Sequence, residues 1–204
     1  MCARFEIQAT PLNLVSQLKT GANTLSLNKK EVRPTDEIPI ITGQGHLKMV
    51  WGLRVSWHRA PVINARVETL HKKRLFRPIL QNRCTVLTSS YFEWRQDGRE
   101  KHKTQITTVD NTPFHMAALH DNLHFVIITT QSNSQIQKIH DRMPLILSPT
   151  QVALWNNVSI SYTEVRQNLR TRSDPLRYSI EDQTTNTQLD LFLNPQPSIT
   201  TSSK

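Results

Sequence analysis

With 204 residues the chain is long enough to bury one hydrophobic core and short for two ordinary domains. It carries 25 Lys and Arg against 16 Asp and Glu, a formal charge of +9, which favours a polyanionic partner with nucleic acid as the first candidate. No apolar run approaches the ~20 residues of a bilayer span, the start "MCARFEIQATPLNL" lacks the plan of a signal peptide, and Cys2 and Cys84 give neither a disulfide framework nor a zinc site, so the reading is a cytoplasmic protein with reduced thiols.

Thr10-Pro11 reads as an N-cap followed by a first-turn proline, and Leu12, Val15 and Leu18 then share one face of a short helix ending near Gly21. In "LKMVWGLRVSW" the residues Leu47, Met49, Trp51, Leu53, Val55 and Trp57 alternate with mostly polar neighbours, the period of a half-buried strand. Further strands are expected in 83–94, 113–119 and 123–131, and Asp97-Gly98 supplies a hairpin turn after the first of them. Ile136 and Ile139 lie in a short turn after Ser134. Ser148-Pro149 opens a helix over "TQVALWNN", and Ser161 with Glu164 makes a capping box for another. Strands dominate the middle and short helices decorate them, so the class is α+β in one domain spanning 2–193. The polar, Pro/Ser/Thr-rich end at 194–204 reads as a disordered tail.

Four features carry chemistry. Removal of Met1 would give Cys2 two nucleophiles on neighbouring carbons, and its α-amine, with a pKa of about 7.7–8.0 against about 10.4 for lysine, is the better amine at neutral pH. An aldehyde would form an imine there, and the adjacent thiol would close on it to a five-membered thiazolidine, helped by proximity. The alternative is that Met1 stays and Cys2 packs as a small hydrophobe. The block from Arg54 to Arg77 holds seven Lys or Arg (Arg54, Arg59, Arg66, Lys72, Lys73, Arg74, Arg77) and one acid, Glu68, beside Trp51, Trp57 and Phe76. Basic residues next to flat ones suit a single strand with stacked bases, while Trp51 and Trp57 also share the apolar parity of a core strand. Glu93, between Phe92 and Trp94, is a carboxylate whose burial would raise its pKa toward neutrality, or a residue of a tight turn without chemistry. His140 with Asp141 and Arg142 offers an acid or base and a phosphate ligand, or a structural histidine. Cys84 reads as core.

Taken in order, "CARF" at 2–5, "WGLRVSW" at 51–57, "INARVETL" at 63–70, "RCTVLTSSYFEW" at 83–94, "HMAAL" at 115–119 and "VIITTQSNSQIQKIHDRMPLIL" at 126–147 resemble the SOS response-associated peptidase (SRAP) family of abasic-site processing proteins. The resemblance implies a β-rich, mixed and mainly antiparallel, barrel-like core with short flanking helices. It implies single-stranded DNA containing abasic sites as partner, and a thiazolidine crosslink on Cys2. It further implies that Asn64 orients the sugar or crosslink, that Glu93 moves protons, and that His140 assists at the sugar hydroxyl or imine. Arg4, Arg66, Arg74 and Arg142 match positions that grip flanking phosphates, and Trp51 matches one at the DNA-binding face. Lyase and autopeptidase activities belong to the same expectation. The residues themselves offer no metal site and no nucleotide-binding glycine loop, so no cofactor is expected, and a monomer is the default. The sequence departs from the family at Ala3, where glycine is usual, and in "EVRPT", where Val32 and Arg33 replace the usual contacts. A passive single-strand binder and a cysteine hydrolase using Cys2 with His140 are the rival readings.

Overall fold

The computed structural model describes residues 2–7, 31–169 and 176–180. The helix expected over 10–21 and the tail at 194–204 lie outside them. In chain order, β1 (Arg4–Glu6) and β2 (Glu31–Val32) are short, β3 (Glu37–Thr42) and β4 (Gly45–Trp51) form a hairpin, β5 (Leu53–Val55) and β6 (His58–Val62) form a ribbon, and β7 (Asn64–Arg66) follows. Then come β8 (Arg83–Thr88), β9 (Ser90–Asp97), β10 (Glu100–Thr108), β11 (Phe114–His120), β12 (His124–Gln131), β13 (Arg142–Pro144) and β14 (Ile146–Leu147). Two helices, α1 (Pro149–Asn156) and α2 (Tyr162–Asn168), and a last strand β15 (Leu176–Ile180) complete the described chain.

Five strands close into a barrel in the order β12-β4-β3-β8-β11 and back to β12, and a second sheet runs β15-β10-β9-β1-β2. The pairings are antiparallel except those of β12 with β4 and with β7. The α+β class with a barrel-like core is therefore observed. Strand periodicity explains how the wall is buried on both sides. Phe125 and Ile127 of β12 enter one apolar core while Val126 and Ile128 enter another, and Met116 and Ala118 of β11 part from Ala117 and Leu119 in the same way. The first core lies with Phe5, Val32, Trp51 and Tyr91; the second is covered by Leu70, Phe76, Trp155, Tyr162 and Val165.

Two expected strands prove to be broken, each for a local reason. The stretch 83–94 is not one strand: the chain leaves the barrel after Thr88 and enters the second sheet at Ser90. That corner is pinned by the carbonyl of Glu6, which accepts from Ser89 N at 3.0 Å and from Thr88 Oγ1 at 2.7 Å. The alternation from Leu47 to Trp57 breaks at Gly52, whose φ of +120° is costly for other residues and where an added Cβ would lie 2.7 Å from Pro61 Cβ. An irregular register follows between Leu53 and Val55. Trp51 is consequently buried, whereas Trp57, in the turn between β5 and β6, is 72% exposed. The Asp97-Gly98 hairpin forms as expected, but its second arm is β10, whose "EKHKTQITT" shows too little hydrophobic alternation to be singled out.

Both capping boxes are present, Ser148 with Gln151 on α1 and Ser161 with Glu164 on α2. The segment carrying Ile136 and Ile139 is a series of turns that buries both side chains. The end of α1 is held by an interior cation. Arg83, 4% exposed, donates from Nε to Trp155 O at 2.7 Å, and from Nη2 to Asn157 O at 2.7 Å and Ile160 O at 2.6 Å. Its guanidinium also lies 5.9 Å from the Trp155 ring centroid. A cation at a helix C-terminus is favoured there, and hydrogen bonds from a charged donor are each worth more than neutral ones. Arg83→Met should lower the unfolding free energy by about 3 kcal/mol, since charge-assisted bonds are lost and carbonyls are left buried. Urea denaturation checks it, and a loss below about 1 kcal/mol would refute this role.

Candidate active site and nucleic-acid interface

The site is assembled where the first residues of the chain cross from the second sheet to the barrel. β1 pairs with β9, with Arg4 opposite Phe92, which carries Cys2 to the neighbourhood of Glu93. β7 is laid parallel to β12, with Asn64 opposite Ile127, and Asn64 Nδ2 donates to Cys2 O at 2.7 Å. Cys2 is fully buried, and its thiol donates to Arg4 O across 3.5 Å. Burial pushes that thiol far up, and the Glu93 charge pushes it further, so it rests as the neutral thiol. The Oδ1 atom of Asn64 is buried without a hydrogen-bond partner, as is the hydroxyl of Tyr91. Buried acceptors and donors of this kind are seldom left unpaired without a reason.

Glu93 is 2% exposed. Burial raises its carboxyl to about 7, with the Asp141 charge adding to the rise and the positive charge of the amino terminus opposing it. His140 contributes a second poised group. The backbone N–H of Arg142 donates to His140 Nδ1 at 3.0 Å, so the neutral ring carries its proton on Nε2. Asp141 Oδ1 lies 2.8 Å from the same Nδ1 and becomes its acceptor when the ring is protonated. Burial, with the charge of the amino terminus, lowers the His140 pKa, which favours the neutral ring near pH 7. Asn64 is joined to Cys2 by a hydrogen bond, Glu93 acts on Cys2 through its charge, and His140 feels the same two charges as Glu93, those of the amino terminus and Asp141.

The cations divide into two kinds. Arg54, Arg59, Arg66, Lys72, Lys73, Arg74 and Arg77 are all exposed. Arg74 lines an open cleft of about 760 Å³ with Trp57, Lys73, Leu75 and Phe76. Arg66 lines a polar hollow of about 440 Å³ with Gln131, Ser132, Gln137, Asp141 and Arg142. Arg142 differs from its expected role. It is 7% exposed, its Nη1 and Nη2 donate to the two oxygens of Glu68 at 2.9 Å each, and Nη2 also donates to Thr129 O at 2.8 Å. Its guanidinium therefore ties β13 to β12 and to the segment after β7, and only its edge faces the hollow. Arg4 is likewise engaged, with Glu31.

Trp51 is corrected from the DNA-binding face to the core. It is 0% exposed and packs on Phe5 at 4.8 Å and Phe125 at 6.4 Å between ring centroids. Its Nε1 donates to Ile63 O at 3.0 Å, so it steadies the backbone next to Asn64. The aromatic ring that does face solvent beside the basic block is Trp57, which parity alone places inside. Nothing in the spacing singles out Glu68 or Asp141, because a carboxylate in a basic run carries no periodic signal. Among the described residues no cluster of three or more His, Cys, Asp or Glu could hold a metal ion, and no helix is long and apolar enough to cross a membrane.

A fully buried Cys2, a carboxylic acid raised toward neutrality beside it and, outside, exposed cations next to Trp57 together define the candidate site. Consistent with that, a profile of the family described as SOS response associated peptidase (SRAP) matches residues 1–183, and the chain belongs to that family. It is 35% identical over 133 residues to a protein of Escherichia coli named abasic site processing protein YedK, over 60% of each chain. It is 31% identical over 183 residues to abasic site processing protein YoqW of Bacillus subtilis, covering 77% of this chain and 80% of that one. A solved structure from Bacteroides thetaiotaomicron superposes with a TM-score of 0.74 at 25% identity, over 88% of this chain and 91% of the other.

The raised Glu93 has a consequence for stability. Its folded pKa, about 7, exceeds the value of about 4.3 for an unperturbed glutamate, so the folded state binds the extra proton between these values. Stability contributed by that proton is lost as pH rises from about 4.3 through 7. Glu93→Gln should therefore raise the thermal midpoint at pH 8 and converge on the parent protein toward pH 4.5. Thermal melts across that range check the sign, and a lower midpoint for the variant at pH 8 would contradict it.

Proposed function

We propose that this protein processes abasic sites in single-stranded DNA by forming a covalent crosslink through Cys2 after loss of Met1. The observation that carries this reading is the setting of Cys2, fully buried, held through its carbonyl by Asn64 and neighboured by Glu93 with a pKa of about 7. In the proposed sequence the Cys2 amine attacks C1′ of the open-chain sugar and forms a carbinolamine. The carbinolamine hydroxyl takes a proton from Glu93 and leaves as water, the nitrogen of the resulting iminium gives its proton back to the Glu93 carboxylate, and an imine remains. The thiol then adds through Sγ to the imine carbon while its proton passes to the imine nitrogen, closing the thiazolidine. A carboxyl near half protonation at neutral pH can both give and take the protons these steps require. His140, neutral near pH 7, would assist at a sugar oxygen or the imine.

The order of steps follows from the thiol. Burial and the Glu93 charge keep it protonated, so the amine is the better first nucleophile and the thiol reacts only once the imine is held beside it. The same fact weighs against a hydrolase that depends on a resting Cys2 thiolate. β-Elimination from the imine would cut the strand, and ring closure competes with it. Autocatalytic removal of Met1 belongs to the same proposal, with Glu93 and Asn64 as the groups at hand. Arg66 and Arg74 would hold phosphates, and Trp57 would stack a base over the cleft it shares with Phe76.

Incubating the protein with a labelled single-stranded oligonucleotide carrying one abasic site should give a band that survives denaturing electrophoresis. It should be absent with an intact strand and with Cys2→Ala, and Asn64→Ala should slow its formation by roughly tenfold or more, since a misplaced reacting group loses effective concentration. Lack of the band in protein whose mass shows Met1 removed would refute the covalent reading.

A further inference from the structure

The hydroxyl of Tyr91 is a buried polar group for which the steps proposed at Cys2 have no use. Tyr91 is 0% exposed, and its oxygen has no hydrogen-bond partner among the described residues. A strand alternates its side chains, so Tyr91 and Glu93 of β9 look to one side of their sheet. Phe92 and Trp94 look to the other, where Lys103 Nζ lies 4.1 Å from the first ring centroid and the Arg4 guanidinium 5.8 Å from the second. The inner side is the apolar core that Tyr91 shares with Cys2, Phe5 and Ile106. A buried donor without a partner opposes folding, and such groups persist where something else uses them.

The ring is held from three directions by apolar side chains. Phe5 of β1 and Ile106 of β10 are its partners across the sheet, and Phe114 stands edge-on, with 6.4 Å between ring centroids and 85° between planes. Polar side chains close by along the strands are turned elsewhere. Ser90 Oγ donates to Glu6 Oε2 at 3.1 Å, and Thr104 Oγ1, opposite Glu93, donates to His102 O at 3.2 Å. Burial raises the phenol well above its ordinary range, and charge on Cys2 or Glu93 raises it further, so it acts as a donor that keeps its proton.

What uses this donor follows from the sulfur. Cys2 Sγ makes a long bond to Arg4 O, 3.5 Å, and burial keeps the thiol protonated. Ring closure takes that proton away, and the same burial opposes the negative charge that gathers on sulfur meanwhile. A donor already fixed in these apolar surroundings stabilises such charge where it develops. We propose that the Tyr91 hydroxyl is a further catalytic group of the site, one that donates a hydrogen bond to Cys2 Sγ while the thiol adds to the imine. In that step the bond from Sγ to C1′ forms, the π pair of the C=N bond moves to nitrogen, the thiol proton ends on that nitrogen, and the phenol keeps its own. This deepens the reading of Cys2 as the crosslinking residue and rests on it. Attack by the amine does not need Tyr91, whereas closure by the thiol does.

Tyr91→Phe removes one oxygen, and two assays on a single strand with one abasic site divide the steps. With sodium cyanoborohydride present, the imine is reduced to a stable amine link, and total attached strand should accumulate at the parent's rate. Without reductant, the adduct that survives denaturation should form roughly tenfold more slowly, the loss of one hydrogen bond to an atom gaining charge. Cleaved strand should rise relative to adduct, because elimination competes for the waiting imine. Ile106→Val loosens the same packing and keeps the hydroxyl, so its ratio of adduct to cleaved strand should stay at the parent's value. Because the oxygen makes no bond at rest, Tyr91→Phe should melt at or above the parent's midpoint. An unmoved ratio in Tyr91→Phe, an equal shift in Ile106→Val, slower reductive trapping or a lowered midpoint would each overturn the proposal. Failure of the reading of Cys2 looks different. Parent protein without Met1 would then give no adduct in either assay, and the role of Tyr91 would fall with it, whereas a parent adduct with an unmoved ratio in Tyr91→Phe removes the role of Tyr91 alone.

Discussion

Everything at the site depends on β12 pairing in parallel with two separate strands along one edge, β4 at His124 and Phe125 and β7 from Ile127 to Thr129. Along its other edge it meets β11 and then β13. Where β11 and β12 part, Leu145 is inserted, donating to Ile128 O at 2.8 Å and accepting from Ala117 N at 2.9 Å. One apolar strand, buried on both faces, thereby fixes the positions of Asn64 and Arg66 from β7 and of Arg142 from β13. Parallel strands need long connections, and the one between β7 and β12 contains the second half of the basic block, the corner at Ser89 and the whole of β9. The catalytic candidates are far apart in sequence because the wall that collects them is made of chain ends and crossovers.

The electrostatics divide along the same line. On the interior side, burial disfavours the charged form of every titratable candidate: the Cys2 thiol is pushed up, Glu93 is raised to about 7 and His140 is lowered. Such a site keeps the Cys2 thiol and the His140 ring neutral at pH 7 and leaves Glu93 the group that exchanges a proton there. On the outer side, the cations keep their charge either in solvent, as along 54–77, or against an ionised carboxylate, as at Glu31 and Glu68. A polyanion can be drawn to the rim without a charged group being brought into the interior.

Much of this is legible in the sequence, for reasons that differ by element. The runs in β8, β11 and β12 are rich in β-branched and apolar residues, and the Ser148-Pro149 opening and the Ser161–Glu164 capping box mark the starts of otherwise weakly patterned helices. Cys2 is legible because its chemistry depends on position alone. The block around Glu93 is legible as a motif but not as two strands, since the corner at Ser89 is made by a carbonyl 83 residues away, that of Glu6. β10 escapes notice because its buried Thr104, Ile106 and Thr108 alternate among polar residues too mixed to stand out. Trp51 and Trp57 share a parity, and only the left-handed Gly52 and the register shift after it send one inward and the other out.

The arginines show most clearly what spacing cannot convey. Arg66 and Arg74 stand in solvent, whereas Arg4 and Arg142 each meet a carboxylate, Glu31 and Glu68. In Arg142 the pairing is bidentate and nearly buried, so breaking it would leave an interior charge uncompensated, and its role is to fix β13 beside β12. In Arg4 the pairing is shared with Arg33 and Lys103 and lies closer to water. Two residues of the same type, both adjacent to the site, are therefore set to different tasks by how deeply each is buried and by whether its acid is shared.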